Sequence, residues 1–300
     1  MKKRILLICL ITMSFFLTKP DLSRQEELTV VYTANSSGKL RACNCPNDPY
    51  GGFSERVTLI KSLRQKEKPF LFVDSGNMVS LFGAYDTKAA YVMRLMNLME
   101  YDAAGVGCHE MFHGVNSALK MTGVATFPLI SASIAKTNDG SHVFNPYVIT
   151  RIGNKNVGII SVCDSTSQIR IGSPKVNDYF FLPKTDVLEH TLSDISSKCD
   201  FIIVLSQFSP DENKKILENF PKIDLIIEGY GNKKHDPPLV TPQGILVSPG
   251  SRGQFVGMIT LDKSKSGKIS IKHNKFLPVL NFPEDKEAHR IVMEYYDSIN

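Results

Sequence analysis

The sequence predicts an α/β protein of one domain, with apolar strands buried beneath helices. Two observations carry this expectation. Apolar, β-branched runs alternate with segments of helical periodicity, a pattern that builds buried, partly parallel sheets covered by helices. Loops rich in Gly, Pro and Asn, such as Cys45–Gly52 and Gly229–Pro238, begin at or near the C-terminal ends of those runs, where α/β folds place their sites.

Taken in order, Lys2, Lys3 and Arg4 precede the apolar run Ile5–Leu17. A charged start followed by a short apolar run predicts a signal peptide or uncleaved N-terminal anchor over residues 1–26. The run falls short of the ~20 residues of a comfortable membrane span. The expectation is an exported chain, periplasmic or extracytoplasmic, touching a membrane only through this segment. One domain is expected over 27–282, undivided by any Pro- or Ser-rich linker, and a C-terminal helix over 283–300. Strands are expected at Leu28–Tyr32, Pro69–Val73, Ala103–Val106, Phe127–Ala132, Val157–Val162, Phe201–Leu205 and Leu225–Glu228. Ile245–Val247, Gly257–Asp262 and Ile269–His273 read as a meander or hairpin about Ser266-Gly267. Helices are expected at Ser54–Lys66, Thr87–Leu98, Val115–Met121, Val187–Lys198, Glu212–Asn219 and Asp285–Asp297.

Composition bounds the function. A hydrophobic fraction of 42% and a charged fraction of 22% suit a globular domain with a real core. The net charge of +5 is spread among acids, with no basic stripe for nucleic acid. Of six cysteines, Cys9 lies in the leader; Cys43, Cys45, Cys108, Cys163 and Cys199 remain. An odd number leaves at least one thiol outside any disulfide scheme.

Several segments, in order, resemble one family. Leu28–Gly38 is similar to the opening strand L-T-I-L-H-T-N-D-x-H-G of 5′-nucleotidases. Gly51–Arg56 resembles the G-G-x-A-R helix start, Leu71–Asn77 the segment L-L-L-D-A-G-D, and Met96–Glu110 the segment N-L-M-x-Y-D-A-x-x-x-G-N-H-E. Leu205–Gln207 resembles L-S-H, Ile223–Asn232 resembles I-D-L-I-I-G-G-H-S-H, and Val247–Gly257 matches a Gly-spaced strand pair. The resemblance spans residues 28 to 280 and implies the calcineurin-like metallophosphoesterase fold, a four-layer α/β/β/α sandwich. In that family, two divalent metals about 4 Å apart activate a water for attack on a phosphoester.

Carried over position by position, the family's ligands fall on Asn35, Ser37, Asn77, Cys108, Gln207, Tyr230 and Asn232. The resemblance gives those places to Asp, His, Asp, Asn, His, His and His. His109 matches the family's catalytic His beside the metals, and Glu110 follows it. Amides offer only neutral oxygens, so the standard dinuclear centre is not expected.

Thiols stand in the same region. Cys43 and Cys45 form a C-x-C pair after the first strand, and Cys108 takes a ligand position beside His109. Three thiolates and an imidazole suit one soft divalent metal such as zinc. A redox pair resolved by Cys108, or a structural disulfide, fits the same residues. Arg56 reads either as an anion ligand near a helix start or as a solvated helix residue. Glu110 reads as a loop anchor. Three functions follow: a thiol-based metal or redox protein, a phosphohydrolase for a nucleotide or sugar phosphate using an unusual metal set, or a non-catalytic binding module. The partner is a small molecule or an unidentified protein.

Overall fold

Two six-stranded mixed sheets lie face to face in the computed structural model, which describes residues 26–42, 49–67, 69–81, 85–165 and 177–299. The first sheet runs β14 (Ile269–Pro278), β13 (Phe255–Lys263), β1 (Glu26–Thr33), β2 (Leu71–Asp74), β3 (Ala103–Gly105), β4 (Leu129–Ile130). The second runs β11 (Leu239–Val240), β12 (Ile245–Val247), β10 (Leu225–Glu228), β9 (Phe201–Ser206), β7 (Lys155–Val162), β6 (Tyr147–Ile152). The inner strands of both pair in parallel, whereas β13, β14, β6 and β11 pair antiparallel. A small ladder joins β5 (Ile134–Lys136) to β8 (Tyr179–Phe181).

Each parallel step needs a crossover, and helices supply all but that from β10 to β12, whose connection carries β11. Helices α1 (Phe53–Lys66), α2 (Tyr85–Asn97), α3 (Val115–Thr122) and α6 (Lys286–Ile299) cover the first sheet. Helices α4 (Lys184–Ile195) and α5 (Pro210–Asn219) cover the second. Three apolar clusters follow. Leu28, Val30 and Val73 meet Ile159, Ile203 and Ile227 between the sheets. Phe72 and Ala104 meet Ile60, Val92 and Ile291 under the first helical layer. Val204 and Ile226 meet Leu188 and Ile216 under the second. This is the expected four-layer α/β/β/α sandwich, and it explains why the inner strands read as unbroken apolar runs: both faces are buried.

Two departures have local causes. The expected strand Phe127–Ala132 shrinks to β4, because Ser131 N–H turns to Asn145 O and Ala132 N–H to Ser161 O, carrying the chain toward the second sheet. Strand β6 went unforeseen: it is a half-covered edge with an exposed Ile149, and its sequence mixes polar and apolar residues. Among the described residues no helix is long and apolar enough to cross a membrane, and the expected leader lies outside them.

Candidate functional site

The C-terminal ends of β1, β2, β3, β9 and β10 open on the same edge of the sandwich, and the loops that leave them are stitched together. Beyond β1, Asn35 N–H donates to Gly76 O at 2.9 Å, Ser37 N–H to Asn77 O at 3.0 Å and Gly38 N–H to Met78 O at 2.8 Å. Asn35, Ser37 and Asn77 hold φ near 50, 49 and 56°. That left-handed region costs an L-residue roughly 1 kcal/mol or more, and Asn tolerates it better than Ser. The strain is held by the stitching between the two loops.

Three side-chain amides meet at the centre. Asn77 Nδ2 donates to Asn35 Oδ1 at 2.9 Å and to Gln207 Oε1 at 2.6 Å, with Gly229 O at 3.5 Å. Backbone groups fix which way each amide faces. Asn35 Nδ2 donates to Gly231 O at 3.0 Å, Gln207 Nε2 donates to Ser75 O, and Asn77 Oδ1 accepts His109 N–H at 3.2 Å. Turning any one of them would set donor against donor or acceptor against acceptor. All three residues are buried, and Gly229 admits Gln207 because a Cβ there would stand 2.3 Å from Nε2.

The supports around this cluster are polar and closed. Glu110 is fully buried; its Oε2 accepts Asn77 and Gly107 N–H, and its Oε1 accepts Met78 and Val79 N–H. It is the loop anchor that the sequence suggests. Asp74 accepts the Thr33 hydroxyl at 2.6 Å and Gly76 N–H at 2.8 Å, and burial pushes its carboxyl up to about 6. His109 Nδ1 lies 2.9 Å from Val79 O, a group that can only accept, so this nitrogen donates. The Tyr85 hydroxyl lies within hydrogen-bond reach of both His109 O and Glu110 O, at 2.8 and 2.9 Å.

The remaining sequence candidates divide. Cys108 lies on the floor, fully buried, its Sγ 3.2 Å from Asp164 O. Cys163 is also buried, and burial pushes its thiol up, with Cys108 adding to the effect. Cys43 and Cys45 fall outside the described residues. Tyr230 and Asn232 flank Gly231, whose carbonyl closes the amide cluster; Asn232 itself is exposed. Arg56 is not the solvated helix residue of one sequence reading. It is fully buried, donates from Nη1 to Ser36 Oγ at 2.9 Å, and lies over the Phe53 ring. Sequence reasoning passed over Thr33, Ser36 and Tyr85; each is an ordinary hydroxyl whose value depends on tertiary neighbours, so no local signal marks it.

The donor set decides what the centre can hold. Among the described residues no three His, Cys, Asp or Glu side chains come together as a metal-binding group. The oxygens of Asn35 and Gln207 are neutral, and both already face an N–H donor. A pair of divalent ions needs anionic ligands free to receive them. These residues therefore fit a dinuclear centre poorly.

No family model matches the chain. Curated relatives and solved structures do resemble it. Human 5′-nucleotidase is 25% identical over 86% of this chain and 50% of its own length. A 5′-nucleotidase precursor from Thermus thermophilus superposes with a TM-score of 0.79 at 21% identity, covering 91% of this chain and 59% of that one. The calcineurin-like phosphoesterase YfkN from Bacillus subtilis gives 0.74 at 16% identity, over 92% and 98%. The chain spans about half or less of the curated relatives it matches, 50% of the human protein and 35% of a snake venom 5′-nucleotidase from Crotalus adamanteus. By sheet order, strand-end loops and these similarities, the chain has the calcineurin-like phosphoesterase fold and is similar, at a distance, to the 5′-nucleotidases.

Proposed function

We propose that the chain is an exported, non-hydrolytic ligand-binding module on a phosphoesterase scaffold. One observation carries the reading: the Asn77 amide supplies, from within the protein, the positive pole toward which the Asn35 and Gln207 oxygens point. In the metal-dependent relatives implied by the sequence resemblance, that pole is a cation. Here a neutral N–H satisfies both amide oxygens by hydrogen bonding, without the Lewis acidity that polarises a phosphoester or activates water. The scaffold remains, with loops at the sandwich edge that suit a small polar ligand. Export rests on the basic start and apolar run of residues 2–17.

The test is a phosphatase panel of nucleotide and sugar phosphates with added Mn, Zn, Co or Fe, together with metal analysis of protein purified under reducing conditions. The expected result is a folded chain with no metal-stimulated phosphate release and no stoichiometric metal. Robust manganese-driven turnover would return the chain to the hydrolases. One zinc per chain, lost in Cys108→Ser, would instead establish the thiol centre of Cys43, Cys45, Cys108 and His109, and would require Cys108 to leave Asp164 O.

A further inference from the structure

Beside the amide cluster, on the flank of the first loop, lies an open hollow of about 500 Å³. Lys39 and Arg41 reach it from the β1–α1 loop, Lys88 from α2 and Arg252 from the loop before β13. Two acids also line it, and both have other bonds. Glu55 accepts Ala42 N–H on one oxygen and the Ser54 hydroxyl on the other. Glu284 sits 2.7 Å from His289 Nδ1.

Two of the four cations meet aromatic faces. The Arg41 guanidinium carbon lies 5.3 Å from the centre of the Tyr296 ring, and the Lys88 ammonium lies 6.0 Å from that of Tyr295. A guanidinium laid on a ring keeps its N–H edge open to a planar or tetrahedral oxyanion. Lys88 is held in place from below. Gly38 has φ 67°, and a Cβ there would stand 2.8 Å from Ser80 N and 3.3 Å from Lys88 Cε, so the bare loop backbone is the bed for this stem. Burial pulls the Lys88 ammonium below its ordinary pKa. Cations gathered from three segments repel one another, and an anion between them turns that repulsion into attraction.

We propose that this hollow binds a phosphoryl-bearing anion, with Arg41 and Lys88 as its direct contacts and Lys39 and Arg252 strengthening the field. The site is distinct from the amide cluster and does not depend on whether that cluster is catalytic. Arg252 N–H donates to Asn35 O at 2.7 Å and Gly38 N–H to Met78 O at 2.8 Å, backbone bonds that join the two walls.

Calorimetric titration of the full chain with orthophosphate, pyrophosphate and glycerol 3-phosphate tests it. Binding of at least one is expected, weakened about tenfold or more in the double variant Arg41→Ala/Lys88→Ala. Arg41 is exposed, so Arg41→Glu alone gives the same test if the double variant misfolds. Tighter binding of orthophosphate supports a site for the free ion; tighter binding of glycerol 3-phosphate supports a phosphoryl group carried on a larger molecule. No heat with any of the three at millimolar concentration, or equal affinities in wild type and Arg41→Glu, overturns the proposal.

Discussion

Asp74 shows how a single buried side chain gives the molecule a pH dependence. Its carboxyl is held near pKa 6 against an ordinary value of 3.8, because burial outweighs the Thr33 hydroxyl, the Arg56 charge and the Gly76 N–H. A folded pKa raised above the unfolded one favours the fold fully below the unfolded value, and that advantage disappears as pH rises through the folded value. Asp74 therefore withdraws stability between about pH 4 and pH 6, on the order of 3 kcal/mol for a shift of this size. Asp74→Asn keeps an acceptor for Gly76 N–H and can donate to the Thr33 hydroxyl. It also removes the negative charge that acts on Arg56, a charge the wild type carries only where Asp74 is ionised and whose effect is already part of the Asp74 pKa. Urea unfolding across this range is expected to show a steeper decline for wild type than for the variant; parallel slopes would mean that Asp74 does not titrate there. The sequence placed Asn35, Asn77 and Gln207 at the site, because each follows a recognisable strand. It did not reveal that the three amides bond to one another. Asn35 and Gln207 are 172 residues apart, and which atom of an amide faces which is settled by backbone carbonyls from other strands.

Elements were legible in proportion to their burial. The apolar runs of β7, β9 and β10 gave their own bounds within two residues, because a strand covered on both faces admits little else. Helix α5 begins with Ser209 accepting Glu212 N–H and Pro210 in the first turn, the signature of a capped start. The loops were less legible, and Glu110 shows why. It ties the loop after β2 to the loop after β3, a partnership 31 to 33 residues long in sequence. Each carboxylate oxygen accepts two backbone N–H groups, so Glu110→Gln leaves one pair of buried donors facing an NH2. The expected loss is about 3 kcal/mol in urea unfolding. The amide cluster should loosen with it, because Asn77 N–H is one of the four donors. A loss under about 0.5 kcal/mol, the scale of an ordinary surface change, would show that the anchor is dispensable.

At the scale of the whole molecule, the sandwich has a site end and a closed end, and the closed end is pinned by charge. Asp200 and Asp224 precede β9 and β10 in the second sheet, whereas Lys263 ends β13 in the first. The Lys263 ammonium donates to Asp224 Oδ2 and to Asp200 O, each at 2.8 Å, and Asp224 also accepts Ile202 N–H at 2.9 Å. Asp224 is nearly buried, with 7% of its side chain exposed, while 21% of Lys263 reaches solvent. Burial raises the Asp224 carboxyl, and Lys263 opposes that rise. Lys263→Met keeps an unbranched apolar side chain near the Phe201 ring, over which the ammonium now lies, but removes the charge, so the folded pKa of Asp224 climbs further. By the same sign rule as for Asp74, the variant's deficit is present at neutral pH and fades as pH falls to the unfolded carboxylate value near 4. Its size at pH 7 is expected to be about 2 kcal/mol, below a fully buried pair because Lys263 keeps contact with water. Paired unfolding curves at pH 4 and pH 7 distinguish the causes. A gap that closes on acidification assigns the clamp to the ion pair across the two sheets, whereas a gap of equal size at both values would assign it to lost packing of the lysine stem.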